Sequence, residues 1–247
     1  MKLIIPLTLF AASFVAARGQ ILVERFDFTS GSSIPDTSLP VSDTRTITDS
    51  SIGSITSLIV SFVLTNPDPA GAYNGDYYVS LQHSSGFSVL LNRVGRTTGT
   101  STTARFGYGD NGFNVTFSDA AAAGDIHVYR DSQYGGNAVD PKYVAPLTGA
   151  WAPDGRNVSP LTVTTADARS ATLSVFQSLP VNGSWTLQVI DLNGGGNAVL
   201  ESWGIVASGA PAVPEPAETA AFVGVCLTSF ALIKKARKTR PLPTEVE

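Results

Sequence analysis

Asn182-Gly183-Ser184-Trp185-Thr186-Leu187-Gln188-Val189-Ile190-Asp191 reads with a period of two. Trp185, Leu187 and Val189 fall on one face while Thr186 and Gln188 fall on the other, the pattern of a strand with one buried side. Asp191 then opens a turn that Gly194, Gly195 and Gly196 complete. Leu200 and Trp203 follow out of period-two phase, which predicts a bulge or a strand start near Glu201. The two tryptophans read most simply as core anchors.

The same period extends upstream. Residues 57–65 (SLIVSFVLT) are apolar and β-branched, and residues 77–81, 87–92, 113–117, 171–176, 185–190 and 200–207 continue the series. Turn chemistry separates them: Asn66-Pro67-Asp68-Pro69, Asn74-Gly75-Asp76, Ser84-Ser85-Gly86 and Asn193-Gly194-Gly195-Gly196. No long amphipathic helix is written anywhere, and residues 119–124 (DAAAAG) suffice for one turn or two. Residues 133–160, rich in Gly, Pro and Asn around Trp151, read as a long ordered loop. Many short strands between such turns predict an all-β sandwich.

Several of these segments together resemble a known family. Residues 74–81 (NGDYYVSL), Ser85, Gly86 and residues 89–93 (VLLNR) look like the strand, tight turn and strand of P domains. Residues 113–120 (FNVTFSDA) resemble the next block, and Pro146-Leu147-Thr148-Gly149 with Pro153 matches a proline-bearing loop. The ending is the most specific part: residues 182–191, then Leu200, Ser202, Trp203, Gly204 and Ile205, follow the pattern G-x-W-x-L-x-V-x-D … L-x-x-W-x-L. The resemblance implies a jelly-roll β-sandwich. P domains accompany the subtilisin-like catalytic domains of proprotein convertases and many bacterial proteases, and they also occur without a protease in bacterial surface proteins.

The two ends carry an address. Lys2, the apolar run of residues 3–14 and the small residues Val15-Ala16-Ala17 have the order of a secretory signal, placed at residues 1–18. At the other end stand Val213-Pro214-Glu215-Pro216, an apolar stretch over residues 219–233, and Lys234, Lys235, Arg237, Lys238 and Arg240. As a helix those 15 apolar residues reach roughly 22 Å, marginal for a hydrocarbon core of about 30 Å. The basic cluster would stay cytoplasmic, leaving everything before Val213 outside. This ending resembles the PEP-CTERM sorting signal, which implies recognition by an exosortase-like membrane enzyme, cleavage near Pro214-Glu215-Pro216 and release to the surface or matrix. An ordinary single-pass anchor is the alternative. The expected organisation is residues 1–18 signal, 19–209 sandwich, and 210–247 sorting or anchor segment.

Between the two ends lie 17 acidic and 10 basic residues, a net charge of −7. That balance, with no basic stripe, argues against a nucleic-acid partner. The single cysteine, Cys226, lies in the apolar tail, so the sandwich has no disulfide. The chain has two histidines, His83 and His127, neither in a protease motif, and no Gly-x-Ser-x-Gly elbow. Gly107-Tyr108-Gly109-Asp110-Asn111-Gly112 matches a dinucleotide fingerprint by letter, but a strand pattern follows it where a helix is required. These glycines read as turn residues.

Calcium takes six to eight oxygens, mostly carboxylates and carbonyls. Asp76, Asp110, Asp119 and Asp191 stand at strand–turn junctions. Asp76, Asp119 and Asp191 fall on matching motifs of P domains, which in bacterial proteases often carry calcium; the competing reading is an Asx turn at each. No cofactor is required by the sequence. The chain thus reads as an exported, non-catalytic surface or matrix sandwich binding protein or polysaccharide. The alternative is an accessory P domain supporting a subtilisin-like serine endopeptidase. A hydrolase built on His83 or His127 is a third reading, which alanine substitution tests.

Overall fold

A computed structural model of the chain describes residues 19–66, 71–134 and 145–212. The chain divides into two units, Met1–Pro211 and Ala212–Glu247, and the fold below belongs to the first. The expected signal (1–18), the Val213-Pro214-Glu215-Pro216 motif and the apolar stretch behind it lie outside the described residues. No described helix is long and apolar enough to cross a membrane.

The elements are β1 (Leu22–Ile34), β2 (Val41–Ile47), β3 (Ile52–Thr65), β4 (Tyr77–His83), β5 (Gly86–Asn92), α1 (Thr102–Phe106), β6 (Phe113–Phe117), α2 (Tyr129–Tyr134), β7 (Leu147–Trp151), β8 (Gly183–Asp191) and β9 (Ala198–Pro211). One sheet has the order β1-β9-β3-β6-β7 and the other β2-β8-β4-β5. The antiparallel pairs β4/β5, β3/β6, β2/β8 and β1/β9 nest inside one another along the chain. A long two-stranded ribbon rolled into two sheets in this way is the jelly roll. β7 adds to the β6 edge as a parallel strand.

β8 and β9 are interior strands, one in each sheet, and they carry the pattern that fixed the fold class. Trp185, Leu187 and Val189 are fully buried, as are Phe62, Phe117 and Leu200 from the facing sheet. The Trp185 ring stacks on His83 at 3.9 Å and 3° and donates its N–H to the Val181 carbonyl at 2.8 Å. Trp203 is also buried and donates to the Asp43 carboxylate at 3.2 Å. The bulge expected at Glu201 is there: Thr29 pairs Ser202 while Ser32 pairs Leu200, and β3 skips the same residue between Val63 and Leu64.

Two expectations are corrected, and two strands were not foreseen. Residues 171–176 are not a strand; Leu173–Phe176 form a 3-10 helix. Leu173 and Phe176 are both buried, and three-residue spacing places them on one side of such a turn. Within residues 133–160 the chain is not all loop, because β7 pairs with β6 over Leu147–Trp151. β1 and β2 were not legible as strands. Their apolar positions are interrupted by Glu24, Arg25, Asp27, Asp43 and Arg45, which suits edge strands that must resist pairing with other chains. Asp43 and Arg45 pair at 2.6 Å on the half-buried side of β2.

Candidate functional site at the loop end of the sandwich

The loops joining β3 to β4, β5 to β6 and β8 to β9 meet at one end of the sandwich. Asn74, fully buried, exchanges hydrogen bonds with Gly112: its amide oxygen accepts from the Gly112 N–H at 2.7 Å and its amide nitrogen donates to the Gly112 carbonyl at 3.1 Å. The Gly75 N–H donates to the Tyr108 carbonyl at 2.8 Å, and the Leu192 N–H to the Asp76 carbonyl at 2.9 Å. Gly75 is obligatory here, since a Cβ would stand 2.3 Å from the Phe106 carbonyl oxygen. The backbone of the fingerprint-like glycines is therefore packed against the 3-10 turn of Asn74–Asp76, and β6 follows it as expected.

This scaffold brings two of the expected carboxylates together. Asp76 ends the 3-10 turn, and Asp191 ends β8 directly opposite Tyr77. Both are buried. Burial, and then the nearby negative charge of Asp191, push Asp76 up to about 7 against the opposing pull of Arg93. Burial raises Asp191 to about 6, with the Asn193 backbone N–H pulling it down and Asp36 pushing it up. Arg93 approaches Asp76 at 3.5 Å and donates through Nε to the Gly75 carbonyl at 3.0 Å. The buried Tyr77 hydroxyl stands beside Asp191; burial and then the Asp191 charge hold the phenol well above its ordinary range, and the hydroxyl in turn pulls Asp191 down. Asp36, exposed, accepts from the Gly195 N–H at 2.9 Å.

The other two expected carboxylates are committed elsewhere. Asp110 clamps Arg130 through two hydrogen bonds of 2.7 and 2.9 Å and accepts from the Tyr129 hydroxyl. Asp119 caps the 3-10 helix, accepting from the N–H groups of Leu173 at 3.0 Å and Ser174 at 2.7 Å. Among the described residues, no group of three or more His, Cys, Asp or Glu side chains is arranged to hold a metal ion. Sequence reasoning missed Asp36, Arg93 and Tyr77 as members of this site. Only the fold brings the β1–β2 connection to the other loops, and no spacing signals it.

A cavity of about 300 Å³ opens beside Asp76, lined among others by Tyr73, Phe106, Tyr108, Arg130 and Asn193. A broader groove of about 750 Å³ lies on the outer face of the five-stranded sheet, where Thr29, Ser61, Asn114, Thr116 and Ser202 line a polar floor.

The histidines are both buried. His83 places its ring nitrogens 3.0 and 2.8 Å from the carbonyls of Ser184 and Pro180. His127 lies in a 3-10 turn with Nδ1 2.7 Å from Asp154, a spacing that also occurs in catalytic triads. Its Nε2, where a nucleophilic hydroxyl would sit, faces the Arg96 carbonyl at 3.0 Å. Asp154 further accepts from Arg156 at 3.2 Å, and Arg156 reaches Asp125 at 2.8 Å. This network fastens buried loops and has no hydroxyl bonded to the imidazole.

Fold and site define a two-sheet β-sandwich with a polar, aromatic-lined end. No family model matches the chain, and no curated protein matches it. Among solved structures it is similar to the Aeromonas sobria serine protease in complex with its chaperone, at 14% identity and a TM-score of 0.39, covering 78% of this chain and 28% of that one. It is similar also to the Aeromonas sobria serine protease, at 14% identity and a TM-score of 0.36, covering 77% of this chain and 27% of that one. The chain thus spans less than a third of the length of either.

Proposed function

We propose that the chain is a non-catalytic P-domain-type module that works beside a subtilisin-like serine endopeptidase as an accessory to proteolysis. The observation that carries this reading is where the family-like residues fall. The ending that resembles P domains supplies β8 and β9, interior strands of the two sheets, and the other family-like segments supply β4, β5 and β6. The resemblance therefore rests on the framework of the fold. The histidine geometry agrees with a binding rather than a catalytic role, since His127 Nε2 is taken by a backbone carbonyl.

The module is exported by the signal at residues 1–18. Its tail beyond Val213-Pro214-Glu215-Pro216 is handled by an exosortase-like enzyme or kept as a membrane anchor, which places the protein at the cell surface or in the matrix. A cation is what the site would favour, calcium among the candidates: Asp76 and Asp191 are paired buried carboxylates that a cation would relieve. There it would hold the three loops together.

A second reading, a matrix module for polysaccharide, is favoured by the polar groove of about 750 Å³ on the outer sheet face. One experiment separates the two. The purified chain is immobilised and challenged with envelope and matrix extract from its own host, in calcium and in chelator. Enrichment of a serine endopeptidase, whose activity or lifetime then changes on adding the chain, supports the accessory reading. Retention of polysaccharide without protease replaces it with the second. Fractionation of the host, with sequencing of the mature termini, tests the address.

A further inference from the structure

We infer that the cavity at the loop end receives one basic side chain, arginine or lysine, from a partner polypeptide. The inference rests on the reading of the chain as a protein-binding module and names the chemistry by which it would hold a partner.

At about 300 Å³ the cavity is at the small end for ligand sites, suited to a single side chain. Its walls are aromatic: Tyr73, Tyr108 and Phe106, the last on the five-residue helix α1 and 37% exposed. One of these rings already faces a guanidinium, for Arg130 lies 4.7 Å from the Tyr108 ring centre. The charge of Arg130 is answered by its two bonds to Asp110.

Asp76 lines the cavity, with Asp191 and Asp36 beside it. Asp76 feels the carboxylates of Asp191 and Asp36 against the guanidinium of Arg93, so negative charge outweighs positive around it. The Tyr77 hydroxyl is buried beside Asp191.

Each alternative ligand uses half of this arrangement. A neutral sugar would stack on the rings and leave the acidic excess unanswered, and an anion would be repelled. A metal ion would take the carboxylates and ignore the aromatic walls. A basic side chain uses both, by charge and by cation–π contact. Gly75 and Gly107 let the loop backbones that carry these walls pack directly against each other.

The test titrates the purified full chain with N-acetyl-arginine methylamide and with its citrulline counterpart, which has the same shape and no charge. Binding is followed by calorimetry and by amide chemical shifts, with calcium chloride alone as a third titrant. The arginine amide should bind saturably and perturb residues around Asp76, with the citrulline amide at least about tenfold weaker. Asp76→Asn should weaken the arginine amide by about tenfold or more. Phe106→Ala, at an exposed position that leaves the core untouched, should weaken it by about threefold or more. Equal binding of the two amides, no saturable binding, or binding of calcium without the arginine amide overturns the inference. Any of these outcomes together with protease retained from extract would leave the accessory reading standing, with its contact on another surface. Arginine binding without a captured protease would leave the pocket standing and remove the protease.

Discussion

Raising the pH should destabilise this protein in the absence of divalent cations, and the buried pair Asp76 and Asp191 sets the size and the window. Asp76 is held at about 7 in the folded chain against an ordinary 3.8. The folded state therefore binds more protons than the unfolded state between those values, and stability falls as pH rises through that interval. Stability is full below about 4 and the loss is complete just above 7. Three units at about 1.4 kcal/mol each make roughly 4 kcal/mol for Asp76. Asp191, raised to about 6, adds a loss of the same sign that ends one unit earlier. Urea unfolding in chelator, followed by fluorescence of the three buried tryptophans, measures it at pH 5, 6, 7 and 8. Asp76→Asn separates the two groups, because most of the loss between pH 6 and 8 belongs to Asp76 while Asp191 has already lost about half its proton at pH 6. The wild type should lose about 1–2 kcal/mol across that last interval and the variant about 0.5 kcal/mol or less. Calcium should restore stability at pH 8 and do little at pH 5, where the carboxyls are largely protonated. A wild-type stability that is flat or rising from pH 5 to 8 in chelator would refute the argument, as would an Asp76→Asn profile that falls as steeply as the wild type above pH 6.

Three further substitutions probe the framework. Trp185→Ala empties the centre of the core beneath His83 and Phe176 and should cost about 3–5 kcal/mol by urea unfolding. Asp154→Ala strips the shared carboxylate from His127 and Arg156 while leaving both buried; a loss of about 3–5 kcal/mol is expected, read from the same curves. Asp119→Ala removes the cap of the Leu173–Phe176 turn and should cost about 0.5–2 kcal/mol. If its carboxylate acts only as that cap, calcium affinity measured by calorimetry will not change.

Much of the architecture is readable from alternation alone. The run from Trp185 to Val189 and the break in phase at Glu201 are consequences of side chains that must face a core on one side of a pleated strand. Such residues signal themselves because their pattern is set by burial. Edge strands give a weaker signal: β1 and β2 have one partner each, and their exposed positions accept Arg25, Asp27, Thr44 and Thr46 without penalty. Residues 171–176 misled for the opposite reason, since Leu173 and Phe176 are apolar enough for a strand. Only the carboxylate of Asp119, brought up from the end of β6, decides that the backbone turns there.

The candidate site divides the same way. Asp76 and Asp191 stand out in sequence because each sits where a strand meets a turn. Their pairing, the approach of Asp36 from the β1–β2 connection, Arg93 beneath them and the buried Tyr77 hydroxyl come from strands brought together out of sequence order. The sequence by itself determined the all-β class, the buried faces of β3, β4, β6, β8 and β9 and the turns between them, because local alternation and turn chemistry are local properties. The tertiary structure alone decided the nested pairing of β1 with β9 and β2 with β8, the loop-end cavity and the raised pair of carboxyls. Charge repulsion and desolvation depend on distance in space, which sequence separation does not reveal.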